Sequence, residues 1–431
     1  MKTSVTKTIL RIKGILFFCA VVMGMVSCTS GRNGAKSGVL PVLNFDQAMA
    51  NIEEIKLSDY AESIRYIPIE TKEGALVSSS QKIIPVYPMG DAGFFFRASL
   101  SEKCGAHHFS PEGKYINSIG TRGRAKGEFV FNTYVLPLPD RNEVVIGGPQ
   151  NMVVYGLDNE YIWDITFAGI DELEKYNARF WGQFYLGDGK FGRLMGANNG
   201  IGESDPNLFM YVYSKDNECE ELYPVIREET MEFSFGNGPE AVMKQSMVAI
   251  GRFFTVGEEH YYLRNVGDTL FMFGENFKLE PVFTFEYGKV GIANKTKDYE
   301  NKIKIFGNDF GELMKIGNSY LVPFSIPAEL YPEGMPYYSN QNEGIVLFDP
   351  QSSRARIFSY NPTVSMTGFV NDLDGGLPFY PSAITKNKMY QVIDPITLLE
   401  KVEYVESEEL KALAETLGEE SNPVIVEVTL K

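Results

Sequence analysis

The densest basic cluster in this acidic chain is the loop Gly120-Thr-Arg-Gly-Arg-Ala-Lys-Gly-Glu. Arg122, Arg124 and Lys126 could together hold a carboxylate or sulfate, as on an acidic sugar, because a planar guanidinium pairs both oxygens of such an anion. The same residues also suit a plain connection whose glycines permit positive φ and whose charges are solvated. A second loop, Ala328-Glu-Leu-Tyr-Pro-Glu-Gly-Met-Pro-Tyr-Tyr-Ser-Asn-Gln-Asn-Glu, is long, aromatic and polar. Tyr331, Tyr337 and Tyr338 offer stacking faces for sugar rings, with Asn340, Gln341 and Asn342 as hydrogen-bonding groups. The alternative is a surface loop with its tyrosines packed on strand edges.

Other constellations are weaker. His107 and His108 are adjacent, so on a strand they point to opposite faces and cannot share one metal. With His260 the only other histidine, a His-rich zinc site is not expected, nor is any cofactor. Asn371-Asp-Leu-Asp-Gly-Gly places Asp372 and Asp374 two apart before glycine, like part of a calcium loop, but the remaining ligand positions and the closing glutamate are missing. Turn chemistry explains those residues as well. Gly236-Asn-Gly-Pro-Glu-Ala fits a dinucleotide fingerprint in letters only, because strands do not alternate with crossover helices around it. G-x-S-x-G, H-E-x-x-H and P-loop motifs are absent. Two carboxylates for glycoside cleavage could be present, but with 56 acids no pair can be singled out.

The first residues carry an address. Lys2, Lys7, Arg11 and Lys13 precede the apolar run Gly14-Ile-Leu-Phe-Phe-Cys-Ala-Val-Val-Met-Gly-Met-Val, followed by Ser27 and Cys28. A basic start, about a dozen apolar residues and a small residue at the cleavage point make a secretory signal rather than a spanning helix. Cys28 at that point predicts a lipoprotein: residues 1–27 leave, and Cys28 carries acyl chains. Ordinary cleavage with an incidental Cys28 is the alternative. Two or more acyl chains give lasting membrane attachment.

Of 40 Lys+Arg and 56 Asp+Glu, the first 27 residues hold four bases and no acid, leaving 36 against 56 and a net charge of −20. Such a surface repels nucleic acid and does not dock electrostatically on anionic lipid. Cys104 and Cys219 are the remaining cysteines, enough for one disulfide but not for a disulfide scaffold.

Residues 28–44 are mostly small and polar and read as a flexible tether. From about Ile52 onward, short apolar and aromatic runs alternate with Gly, Asn, Asp and Pro. A hairpin of strand, polar turn and strand recurs at Phe109–Gly120, Val154–Ile165, Tyr211–Leu222 and Val346–Phe358. Antiparallel hairpins at such a period predict an all-β propeller, with six blades of roughly 60 residues filling 45–431, although seven or eight leaner blades also fit. Ile64-Arg-Tyr-Ile-Pro-Ile-Glu near the start and Pro423-Val-Ile-Val-Glu-Val-Thr-Leu at the end could pair in one blade and close the ring. Helical signals are short. The clearest is Ser407–Leu417, with Leu410, Leu413 and Leu417 in helical spacing behind an acidic first turn.

Four segments resemble the six-bladed, NHL-like β-propeller lipoproteins of Bacteroidetes. They are Ile55-Lys-Leu-Ser-Asp-Tyr-Ala-Glu-Ser-Ile-Arg-Tyr-Ile-Pro-Ile-Glu-Thr, the stretch from Phe109 through Ile119-Gly-Thr-Arg-Gly-Arg-Ala-Lys-Gly-Glu-Phe, Asn371-Asp-Leu-Asp-Gly-Gly-Leu-Pro-Phe-Tyr-Pro, and Ser421-Asn-Pro-Val-Ile-Val-Glu-Val-Thr-Leu-Lys. Ser110 stands where that family usually has Asp, and Ala125-Lys126 replaces a commoner Gly-Pro. The resemblance implies a closed propeller and no established reaction. The expected role is a lipid-anchored binding module of the cell envelope for a glycan or protein partner. A polysaccharide hydrolase or lyase and a structural subunit of an envelope complex are the alternatives. In these bacteria, surface export is associated with acidic residues just after the lipidated Cys. Thr29-Ser-Gly-Arg-Asn-Gly-Ala-Lys-Ser-Gly has none, favouring a periplasm-facing outer-membrane anchor.

Overall fold

The runs Glu143-Val-Val-Ile-Gly and Gly344-Ile-Val-Leu-Phe are apolar at every position rather than at every second one. A strand does this when both of its faces are buried. The computed structural model, which describes residues 39–77, 83–131, 134–148, 151–166, 179–198, 201–214, 219–235, 243–264, 267–289, 304–305, 312–326 and 342–431, shows the reason. Val144 and Ile146 pack with Phe95 and Ile119 on one side, whereas Val145 packs with Phe191 and Tyr213 on the other. In the same way Val346 and Phe348 join Phe283, while Ile345 and Leu347 join Val426 and Val428. Each of these two sheets is therefore sandwiched between two others.

The architecture is a six-bladed β-propeller. From the axis outward, blade 1 is Tyr87–Pro88, Phe94–Arg97, Ala106–Phe109 and Tyr115–Ile119. Blade 2 is Tyr134–Leu138, Glu143–Gly147, Asn151–Gly156 and Tyr161–Thr166. Blade 3 is Arg179–Gly187, Lys190–Gly196, Leu208–Tyr213 and Cys219–Ile226. Blade 4 is Arg252–Val256, Glu259–Leu263, Thr269–Phe273 and Leu279–Glu286. Blade 5 has two short inner pieces, Lys304–Ile305 and Met314–Ile316, then Ser319–Ile326, Asn342–Asp349 and Arg354–Phe358. Blade 6 is Ala383–Ile384, Lys388–Ile393 and Val424–Leu430, with Ala61–Pro68 from the other end of the chain as its outer strand. The expected closure is this antiparallel pairing, with Ala61 opposite Leu430 and Pro68 opposite Val424.

Six hydrophobic clusters fill the wedges between neighbouring blades, one for each adjacent pair around the ring. The four hairpins read from the sequence are the third and fourth strands of blades 1, 2, 3 and 5. The helix expected at Ser407–Leu417 forms over Glu408–Ala414, capped by the Ser407 side chain.

The chain before the closing strand also belongs to the ring. Val42–Asn44 pairs in parallel with the outer strand of blade 4, and Ile52–Glu53 with that of blade 5. Val42–Asn44 was read from sequence as the end of the tether. Between the two pairings, Asn44 caps the short helix Phe45–Met49, and fully buried Phe45 stacks on Phe285 and Tyr287 and meets Phe324 edge-on. The segment thus covers two sheet edges before supplying the third, which shields strand edges that could otherwise pair with other chains.

Asn422 fastens the closure. It is 1% exposed, its amide donates to the carbonyls of Glu70 and Ala75 (2.9 Å each), and its Oδ1 accepts from the Val77 amide at 2.8 Å. Replacing Asn422 with Ala strands these backbone groups and should cost about 2–4 kcal/mol in denaturant unfolding. His260 packs on the Phe184 ring at 4.3 Å, and burial lowers its pKa to about 4. Because the folded pKa lies below the unfolded value, this group destabilises the fold as pH falls from about 6.5 towards 4, by on the order of 3 kcal/mol at the limit. In a thermal melt series across that range, His260→Gln should lose less stability than the parent.

Candidate functional site

Antiparallel order makes the inner strands of all blades start on the same face of the ring. Three of those first positions are Tyr87 in blade 1, Tyr134 in blade 2 and Arg252 in blade 4. Glu312 stands two residues before the inner strand Met314–Ile316 of blade 5. Glu312 is close enough for its charge to act on Tyr87, Tyr134 and Arg252. A group on blade 5 that reaches blades 1, 2 and 4 must lie near the axis. Arg97, at the end of a second strand, is on the same face and acts on Tyr87.

Burial raises the pKa of Glu312, with Arg252 opposing the shift. Burial likewise lowers that of Arg252, with Glu312 opposing. Both residues are nonetheless solvent-exposed. Groups that water can reach but that protein surrounds on most sides line a concave mouth. Burial also holds the Tyr87 and Tyr134 hydroxyls protonated, and Tyr134 donates to the Gln183 carbonyl of blade 3 at 2.7 Å. The mouth therefore presents phenol rings packed partly into the neighbouring wedges, guanidinium groups and one difficult-to-ionise carboxyl. This combination suits a polar, ring-bearing or anionic ligand.

Residues 40–429 match the family described as Domain of unknown function (DUF4934). The chain belongs to this family. Among solved structures, a Bacteroides fragilis protein whose name calls it exported aligns at 14% identity and a TM-score of 0.58, over 91% of this chain and 100% of the other. This likeness supports the six-bladed fold. A Bacteroides caccae protein of unknown function (10% identity, TM-score 0.30, 71% and 82% coverage) and virginiamycin B lyase from Staphylococcus aureus (10%, 0.32, 70% and 76%) are more distant. No curated protein matches the sequence.

In this family member, the basic loop does not present its three bases together. The Arg122 guanidinium turns inward to the Leu100 carbonyl and lies over the Phe129 ring, while its amide donates to the Lys103 carbonyl at 2.7 Å. Arg122 thereby ties the connection between blades 1 and 2 to a neighbouring loop of blade 1. Arg124 and Lys126 stay exposed, with the Lys126 ammonium 5.6 Å from the centre of the Tyr161 ring. Tyr331, Tyr337, Tyr338, Asn340 and Gln341 lie outside the described residues, as do Cys28 and the Gly236 loop. The strands on either side of that loop, Thr230–Phe235 and Met243–Val248, form an antiparallel hairpin rather than a βαβ unit.

Asp372 and Asp374 serve separate partners. Asp372 accepts from the amide and hydroxyl of Ser58, and Asp374 from Tyr66 and Ser407 (2.8 and 2.6 Å). They pin the closing strand and a helix start, so turn and capping chemistry accounts for the motif. Cys104 is a free thiol, so the possible bridge to Cys219 is not formed.

His107 and His108 do face opposite ways. His108 stacks on Phe95 and contacts the Ala92 carbonyl, whereas His107 meets Ser118 and Glu102. The second group includes Cys104, giving three types of metal donor in one place. The adjacency of the two histidines excludes a metal shared between them but leaves Glu102 and Cys104 out of account. The spacing Glu102-x-Cys104-x-x-His107 was the available signal. The mouth residues gave none, because their shared property is position at the start of an inner strand.

Glu312→Gln tests the electrostatics of the mouth. The folded-state pKa of Glu312 is raised, so its ionised form weakens the fold above the carboxyl range and the effect vanishes below it. The variant should melt about a degree or two higher at pH 7, with the gap closing as pH falls through about 4.3. A lower melting temperature at pH 7 would mean that attraction to Arg252 outweighs burial.

Proposed function

We propose that this chain is a lipid-anchored propeller of the cell envelope that binds a polar ligand, such as a glycan bearing acidic groups, at its central mouth. The observation that carries the reading is the convergence of Tyr87, Tyr134 and Arg252 around Glu312 from four blades. Such a site has partly exposed phenol rings and bidentate hydrogen-bond donors on a rigid frame, which favours recognition without loop closure. Arg124 and Lys126 add positive charge on the same face.

The envelope address rests on residues 1–28: a signal at 1–27, lipidation at Cys28 and a tether that leads to the first ring strand. The word exported in the name of the Bacteroides fragilis protein is in keeping with such a signal. The likeness to NHL-like Bacteroidetes lipoproteins, the outer membrane and a periplasm-facing orientation belong to the same reading. The acidic body leaves the acyl chains as the membrane attachment.

Glu312 favours a second reading. A carboxyl with a raised pKa in a sugar-binding mouth is what a general acid requires, and a glycosidase would need a second carboxylate about 5–10 Å away. One experiment separates the readings: binding to neutral and acidic polysaccharides with product analysis on the same samples. Binding with intact sugars, weakened at least tenfold by Tyr134→Ala or Arg252→Ala, supports a recognition module. Shortened or unsaturated products that disappear in Glu312→Gln make it an enzyme. The absence of both binding and turnover would overturn the glycan reading and direct the search to protein partners.

A further inference from the structure

The loop after Phe94–Arg97 and the start of Ala106–Phe109 bring together three side chains that the mouth does not use. The donor atoms of Glu102, Cys104 and His107 all lie within 4.8 Å of one another. His107 Nε2 is 3.0 Å from Glu102 Oε2, and Cys104 Sγ is 3.7 Å from the same oxygen. We propose that Glu102, Cys104 and His107 form a binding site for a zinc-class divalent metal ion.

The geometry matches such an ion. Bonds of about 2.0–2.2 Å to nitrogen and oxygen and about 2.3 Å to sulfur place tetrahedral ligands roughly 3.3–3.6 Å apart. The two edges from Glu102 bracket that range, and the third, between Cys104 and His107, lies within 4.8 Å. His107 is 0% exposed, and its Nε2 has no hydrogen-bond partner although a carboxylate oxygen is 3.0 Å away. That oxygen lies off the line an N–H would take. On the other side of the ring, Nδ1 meets Ser118 Oγ at 3.0 Å, and Ser118 Oγ meets the Tyr115 hydroxyl at 2.9 Å. Metal-binding imidazoles are commonly fixed by such a contact at the second nitrogen.

A thiolate, an imidazole and a carboxylate favour zinc over calcium or magnesium, which take oxygen ligands. Binding converts the Cys104 thiol to a metal-bound thiolate and releases one proton to solvent. Three protein ligands leave a fourth position for water or a ligand group. Arg122 fastens the basic loop to Leu100 and Lys103 beside the site, so an ion here would also stiffen that face.

The test uses the purified full chain, stripped with a chelator and titrated with Zn²⁺ in competition with a chromophoric chelator, and separately with Co²⁺. The expected results are one tight Zn²⁺ equivalent and a cobalt–thiolate charge-transfer band that disappears in Cys104→Ser. His107→Gln and Glu102→Gln should weaken Zn²⁺ binding at least tenfold, and Ser118→Ala, which keeps every ligand, about tenfold or more. Far-UV circular dichroism checks the fold of each variant, and Glu102→Gln and Ser118→Ala, at partly buried positions, carry the test if Cys104→Ser does not fold. Absence of a thiolate band in the parent, a band that survives Cys104→Ser, or Zn²⁺ affinity unchanged in the other variants would overturn the proposal.

Discussion

The ring depends on the pairing of Ala61–Pro68 with Val424–Leu430. Each wedge of core needs two blades, so an open ring would expose two apolar faces at once. One is the blade 6 face built from Ile67, Tyr390 and Ile425, and the other is the blade 1 face built from Phe94, Phe96 and Phe109. Joining the two ends in one sheet makes closure a matter of ordinary ladder hydrogen bonds together with the burial of those faces. Asn422 and Asp374 sit beside the seam and satisfy groups contributed by both ends of the chain.

Closure also explains where the core is and where it is not. The apolar mass is distributed among six wedges rather than gathered at the centre. The axis is left to the inner strands, whose first residues include tyrosines and arginine. A polar axis inside an apolar frame creates the conditions under which Glu312 and Arg252 remain wet yet poorly solvated. Side chains held there are pre-positioned by sheets that cannot move independently, so the binding surface and the stability of the ring have a common origin.

The segment Val42–Glu53 extends the same logic to the rim. Having covered the outer edges of blades 4 and 5, it leads into the outer strand of blade 6. Phe45, wedged among Phe285, Tyr287 and Phe324, makes this segment part of the core between blades 4 and 5. Val42–Asn44 and Ile52–Glu53 therefore lie at the rim of the ring.

Local chemistry made much of the fold legible in the sequence. Four hairpins, the capped helix after Ser407 and the strand at each end were readable because strand propensity, turn residues and capping act over a few residues. The hairpin of blade 4 was missed because its turn places Phe277 at φ 55, a conformation that a phenylalanine does not announce. Blade 6 has no contiguous copy of the hairpin because its last two strands come from opposite ends of the chain. The basic loop was visible as composition, but the inward turn of Arg122 depends on Leu100, a residue in another loop. The mouth and the Glu102–Cys104–His107 cluster are products of tertiary structure. The first is assembled from residues on four blades, and the second needs a loop to fold back onto a strand edge. Sequence determines which segments become strands, whereas tertiary folding, blade against blade and loop against strand, decides which of their side chains meet.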